Sequence, residues 1–177
     1  ERVARSGRDL EQIPRSADPG LGAMIANLSR HAGPGDESGD PARGSNRDLC
    51  MHAGGPVRRH QTTGSQVSAL SPRGAVHLFT GTSAPCLSVY RPVGFEPGAG
   101  YSALDAGRVP GEGLWWRHER VHRRALFDPG LRAALRSDRS DALARILDML
   151  SGPGMPGMDA LLQADALAAE WQRRQEG

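Results

Sequence analysis

The sequence contains no lysine. All 22 of its non-histidine basic side chains are arginine, against 20 acids, for a formal net charge of +2. So uniform a replacement reads as coding bias rather than a binding strategy, although arginine is the better reader of phosphates and bases. Acids follow the arginines closely, except between Leu114 and Arg139, where seven Arg face three acids. A basic helix face of that size reads as solvated surface, and no nucleic-acid partner is expected. Aromatic residues make up only 5% of the chain, so the core must be aliphatic and alanine-based. Two cysteines 36 positions apart make neither a disulfide scaffold nor a zinc-ligand spacing, and Cys86 reads as a small buried residue. No run of 18 apolar residues occurs, which argues against a spanning helix and a membrane partner. No signal peptide is visible, and a cytoplasmic location is expected. Residue 1 is Glu rather than Met, which limits what a missing signal says.

What is abundant is glycine and proline, 23 and 13 residues, which calls for many turns. Residues 1–19 read as an extended arm. Leu21, Met24, Ile25 and Leu28 repeat at helical spacing, giving a short helix over Leu21–Arg30 with His31 as a cation at its C-terminal end. Gly33 to Asn46 reads as a loop. Strands are expected at Asp48–His52, Gln61–Leu70, Ala75–Gly81 and Cys86–Arg91, with a turn at Ser71-Pro72-Arg73-Gly74, as an antiparallel meander. Residues 92–113 are a Gly/Pro-rich crossing. From Leu114 the chain reads as helical. Leu114, Trp115, His118, Val121, His122, Ala125 and Leu126 share one sector, and Arg117, Arg120, Arg123 and Arg124 the opposite one. Asp128-Pro129 breaks the helix, Leu143, Ile146, Leu147 and Leu150 form an apolar stripe, and Asp159 can cap a last helix running through Trp171.

Two constellations carry candidate chemistry. His118-Glu119-Arg120-Val121-His122 matches H-E-x-x-H, in which two histidines one helical turn apart bind zinc and the glutamate activates water. No third ligand follows at the usual place: Ala125 stands where the extended pattern needs glycine. Arg120 adds a charge between the histidines, and both lie beside Trp115 on the buried stripe. His118, Glu119 and His122 are therefore read as structural, with no metal and no cofactor assigned. The second constellation is Cys50 and His52, which a strand would point to one face as a thiolate–imidazolium pair, or which are a buried cysteine and a structural histidine. Thr62, Thr63 and Ser65 either line a polar pocket or satisfy strand edges and turns.

Several stretches, in order, resemble the secernins, relatives of N-terminal-nucleophile hydrolases grouped with bacterial cysteine dipeptidases. They are Leu49-Cys50-Met51-His52-Ala53, Gln61-Thr62-Thr63-Gly64-Ser65, Thr80-Gly81-Thr82, Ala84-Pro85-Cys86-Leu87-Ser88 with Arg91-Pro92-Val93, and Leu114-Trp115-Trp116-Arg117-His118-Glu119 with His122-Arg123. The resemblance implies an α+β fold, part of an αββα sandwich with antiparallel sheets and a helical C-terminal third. Residues 1–47 would be an arm, short helix and loop, and residues 48–177 the C-terminal portion of a hydrolase domain. It implies attack on dipeptides or related amides by a cysteine at the mature N-terminus, expected upstream of Glu1, so that this chain alone is inactive. His52, Thr62, Thr63 and Ser65 become candidates for the pocket wall. The expected partners are a small peptide or amide substrate and either the missing half or a second copy. A non-catalytic regulatory protein of the same family is the alternative, and a zinc peptidase on His118 and His122 a further one.

Overall fold

The computed structural model describes residues 20–31, 45–54, 58–94, 108–152 and 154–175. The expected N-terminal arm, most of the 33–46 loop and the middle of the 92–113 crossing lie outside them. The helical repeat near the N-terminus forms helix α1, Gly20–Leu28. Ile25 is buried, and Leu21, Met24 and Leu28 pack partly buried against the larger of two hydrophobic clusters.

Strands β1, Gln66–Ser71, and β2, Gly74–Phe79, form an antiparallel hairpin in which Val67 faces Leu78 and Ala69 faces Val76. These pairs put the apolar side chains on one face of the sheet. The expected turn is there: Ser71 pairs with Gly74 across a two-residue loop. Ser71 Oγ donates to the Gly74 carbonyl and accepts from the Arg73 N–H. Gly74 adopts φ 144°, a backbone region that side chains rarely enter. β3, Arg91–Val93, adds to β2 with Leu78 opposite Pro92. Proline lacks an N–H and is tolerated here because β3 is an edge strand of the β1-β2-β3 sheet.

Two expected strands are absent. Of Cys86–Arg91, only Arg91 lies in a strand, β3: Ala84 takes a left-handed conformation, φ 55°, and Pro85 starts a 3-10 turn over Pro85–Leu87. The chain becomes extended only from Ser88, and every residue from Thr82 to Pro92 is buried, so the alternation expected of a half-buried strand has no role there. Asp48–His52 is irregular because its backbone groups bond elsewhere. Cys50 donates to the Arg30 carbonyl at 3.0 Å, and Met51 exchanges bonds with Thr62. The Gln61 strand begins only at Gln66: Thr62 is taken up by that exchange, and the Ser65 N–H bonds to the Thr80 side-chain hydroxyl.

The C-terminal part is helical: α2, Leu114–Phe127; α3, Pro129–Leu150; and α4, Met158–Gln175. Pro129 occupies the first turn of α3, and the Asp128 carboxylate accepts from the Leu131 N–H at 2.9 Å. Asp159 lies in the first turn of α4, where a negative charge suits the helix dipole, and the helix runs past Trp171 to Gln175. α3 contributes Leu143, Ile146 and Leu150 to the larger cluster, together with Val67, Val76 and Leu78 of the hairpin and Ala164, Leu167, Ala168 and Trp171 of α4, the helix it packs against. Arg91 of β3 reaches Asp165 of α4 through Nε at 3.0 Å and Nη2 at 2.8 Å, both groups buried. The protein is thus α+β, with an antiparallel sheet and a helical C-terminal part, as the resemblance led one to expect. A second cluster, Cys50, Ala84, Cys86, Leu87, Val121, Ala125 and Leu135, joins the 3-10 turn to α2 and α3. Among the described residues no helix is long and apolar enough to cross a membrane.

Candidate functional site

Three segments distant in sequence meet beside this second cluster. His31 follows the end of α1, and the Cys50–Arg30 backbone bond zips the Cys50–His52 loop to that end. Asp48 braces the start of the loop by accepting from the Ser45 N–H at 3.0 Å and the Ser45 hydroxyl at 3.1 Å. Thr62 clamps the far side. Its hydroxyl accepts from the Met51 N–H at 3.0 Å and donates to the Leu49 carbonyl at 3.1 Å, while its own carbonyl accepts from the Ala84 N–H at 3.0 Å. The 3-10 turn after Ala84 then aims Cys86 inward.

His31, Cys50, His52 and Cys86 are all buried, and one ligand-type atom from each lies within 4.8 Å of every other. His52 Nε2 stands 3.1 Å from His31 Nε2, 3.3 Å from Cys86 Sγ and 3.7 Å from Cys50 Sγ. Burial pushes the Cys50 thiol well above its ordinary pKa. Cys86 is drawn well below, first by the hydrogen bond from Cys50 and also by His31 and His52. The two thiols thus interact directly within the cluster.

Behind the cluster runs a chain of hydrogen bonds into α2. His52 Nδ1 is 3.0 Å from His122 Nε2, and His122 Nδ1 is 3.0 Å from Glu119 Oε2. Glu119 also accepts from the Ser83 hydroxyl at 2.5 Å, from Gln61 Nε2 at 3.1 Å and from Arg123 Nε at 2.8 Å. Burial pushes the Glu119 carboxyl up, but the bonds from His122, Ser83 and Gln61 outweigh it and hold its pKa at about 2. Glu119 is thus an ionised acceptor, so His122 Nδ1 carries a proton toward it. In the neutral ring His122 Nε2 is then an acceptor and His52 Nδ1 its donor. With both rings neutral, this order of bonds would leave a lone pair on His52 Nε2, the atom that faces the two sulfurs and His31.

The H-E-x-x-H histidines point to different partners. His118 Nε2 bonds to the Ser88 hydroxyl at 2.9 Å, and the Ser88 hydroxyl donates to the Ser83 carbonyl at 2.7 Å. Burial, with the neighbouring His122 adding to it, brings the His118 pKa down to about 4, so this ring is neutral at pH 7. Among the described residues, the metal-capable group comprises His31, Cys50, His52 and Cys86 and does not include His118.

The pocket-wall candidates stand in different surroundings. His52 is 4% exposed within the cluster, and Thr62 is a half-buried clamp between segments. Thr63 is solvent-exposed, and its carbonyl accepts from Trp115 Nε1 at 3.0 Å. Ser65 accepts from the Tyr90 hydroxyl at 2.7 Å. His31, expected at the exposed end of the helix, is buried instead: the Cys50 loop folds over it and leaves it 7% exposed. Sequence reasoning passed over Ser83 and the convergence of His31 and Cys86 on Cys50 and His52. The legible signal was the dense Cys-x-His and Ser-Ala-Pro-Cys pairing in one stretch, but the fold is needed to bring residue 31 to it. Comparison with known proteins finds no matching family model, curated protein or solved structure.

Proposed function

We propose that this chain is part of a secernin-like hydrolase of dipeptides or related amide bonds, supplying inner wall and helical cover rather than the attacking group. One observation carries the reading: the stretches that resemble secernins bond to one another. Residues 49–53 are held by Thr62, Ser65 donates from its N–H to the Thr80 hydroxyl, Ala84 reaches Thr62, Trp115 reaches Thr63, and Glu119 holds both Gln61 and Ser83. Motifs of a common family core would close on themselves in this way. Cys50 and Cys86, 0% and 4% exposed, offer no sulfur to a substrate. That favours a nucleophile outside these 177 residues, a mature N-terminal cysteine with its own α-amino group as base, whose pKa of about 7.7–8.0 suits the task. Two free buried thiols fit a reducing compartment, and the proposed location is cytoplasmic. The edge strand β1, with Leu70 77% exposed, is the proposed seat for a complementing half or a second copy.

The closure of the cysteine–histidine cluster favours a second reading, a non-catalytic regulatory protein of the same family. A dipeptide panel assayed against this chain and against the product of its whole coding region separates the two. The expected result is no turnover by the chain alone and hydrolysis by the whole product, lost when its processed N-terminal cysteine becomes serine. An inert whole product supports the regulatory reading. Hydrolysis by the 177 residues alone, abolished in Cys50→Ala, overturns the assignment.

A further inference from the structure

We propose that His31, Cys50, His52 and Cys86 form a tetrahedral structural Zn2+ site. The proposal stands on the geometry of these four residues and is independent of the hydrolase reading. Zinc–nitrogen bonds of about 2.0–2.1 Å and zinc–sulfur bonds of about 2.3 Å place the ligand atoms of a tetrahedral site about 3.3–3.8 Å apart. The three separations from His52 Nε2, 3.1, 3.3 and 3.7 Å, already lie in or within a few tenths of that range. No approach by a remote segment is needed to close the site.

The donor set names the metal. Two thiolates and two imidazoles in a tetrahedral arrangement suit Zn2+, and not the oxygen-seeking Mg2+ or Ca2+. Two thiolates offset the 2+ charge, so the unit is neutral overall and can be buried among Ala84, Leu87, Val121 and Ala125. Binding releases the thiol protons to solvent and forms two sulfur–zinc and two nitrogen–zinc bonds without change of oxidation state. All four coordination positions are filled by protein, so the ion holds structure and is not open to a substrate.

The surroundings match what a metal-bound histidine requires. A ligating imidazole must present a bare nitrogen and commit its other N–H to an acceptor. His52 has the partner for it: Nδ1 lies 3.0 Å from His122 Nε2, and His122 Nδ1 is held 3.0 Å from Glu119, so the neutral His52 can donate from Nδ1 and offer Nε2 to the metal. His122 and Glu119 are positioning residues for this ligand. Mechanically, the ion would fasten the end of α1, the Cys50 loop and the 3-10 turn to one another at a point where the sheet contributes nothing.

The test is metal analysis of the purified chain, refolded in buffered zinc and freed of excess by gel filtration. About one zinc per chain is expected, and replacement by Co2+ should give the intense visible bands of a tetrahedral ion with thiolate-to-cobalt charge transfer. Both thiols should resist a thiol reagent until a chelator is added. Cys86→Ser and His52→Ala should lose the metal, while His60→Ala, at an exposed histidine outside the cluster, should keep it. Should the ligand variants fail to fold, the wild-type measurements decide the matter, together with His122→Ala, which retains all four ligands. That variant should hold zinc about 10–100-fold more weakly. A folded wild-type chain without zinc, a cobalt spectrum lacking thiolate charge transfer, or a Cys50–Cys86 disulfide in the native protein would overturn the proposal. Unchanged zinc affinity in His122→Ala would overturn the positioning role of His122.

Discussion

His52 and His122, 70 positions apart, share a buried 3.0 Å hydrogen bond that joins the loop before the sheet to the first long helix. It is the middle bond of a chain that ends on Glu119. His122→Ala strips the His52 N–H of its acceptor and Glu119 of one donor, both in the interior. Leaving the buried His52 N–H unpaired costs about 1–3 kcal/mol, and the loss of one donor from the charged Glu119, which keeps Ser83, Gln61 and Arg123, adds to it. Urea unfolding of the variant should therefore show a loss of about 2–4 kcal/mol, larger than the deleted ring contacts alone would give. His60→Ala, at an exposed site, should fall within about 0.5 kcal/mol of wild type.

Stability should fall with acid in two stages. His118 has its pKa lowered from 6.5 to about 4, so the unfolded chain takes up this proton first. The neutral ring's contribution is complete above pH 6.5 and is lost as pH falls toward 4. Glu119 has its pKa lowered from 4.5 to about 2; its contribution is complete above pH 4.5 and is lost as pH falls toward 2. Unfolding midpoints across pH 7 to 3, with each variant compared against wild type, should assign the stages. His118→Gln should flatten the upper stage and leave the lower, and Glu119→Gln should do the reverse. A His118→Gln profile as steep as wild type between pH 6.5 and 4 would contradict a buried neutral His118.

How far the sequence reveals this arrangement depends on the range of the interaction. The Ser71–Gly74 turn, the helix start at Asp128-Pro129 and the stripe Leu143, Ile146 and Leu150 are set by neighbours within a turn or two, and all are read correctly from spacing and turn chemistry. The Cys86–Arg91 segment has the composition of a strand. Pro85 and the left-handed Ala84 instead coil its start, and burial on all sides removes the alternation that composition alone cannot supply. Helical-wheel sorting found His118 and His122 on the inward face of α2, but it sorts by polarity and so left out Glu119. That carboxylate is buried because Ser83, Gln61 and His122 converge on it, a fact of tertiary contact. The same holds for His31: nothing local distinguishes it from a cation at a helix end until the Cys50 loop folds over it.

Core packing gives a further expectation. Ile146 is fully buried in the larger hydrophobic cluster, which also holds residues of the hairpin and of α4. Ile146→Ala removes three carbons from a fully buried site in that cluster. A loss of about 2–5 kcal/mol in chemical denaturation is expected. Leu147→Ala, one position on and only half-buried, should cost less.

Arg91 and Asp165 test a different kind of interior contact. The guanidinium uses Nε and Nη2 on one carboxylate oxygen, Oδ1, with both side chains nearly inaccessible, and the pair ties edge strand β3 to α4. Coulomb attraction between such groups is offset by the cost of taking both out of water, so the pair as a whole contributes little net stability. Removing one partner is different, because it leaves an uncompensated charge inside. Asp165→Ala should cost about 3–5 kcal/mol. The double variant Arg91→Met/Asp165→Leu, which exchanges the pair for apolar groups of similar size, should recover most of that loss. Denaturant midpoints for the two single variants and the double variant, taken as a thermodynamic cycle, give the coupling directly. If Asp165→Ala unfolds at the wild-type midpoint, β3 is not held to α4 through this pair.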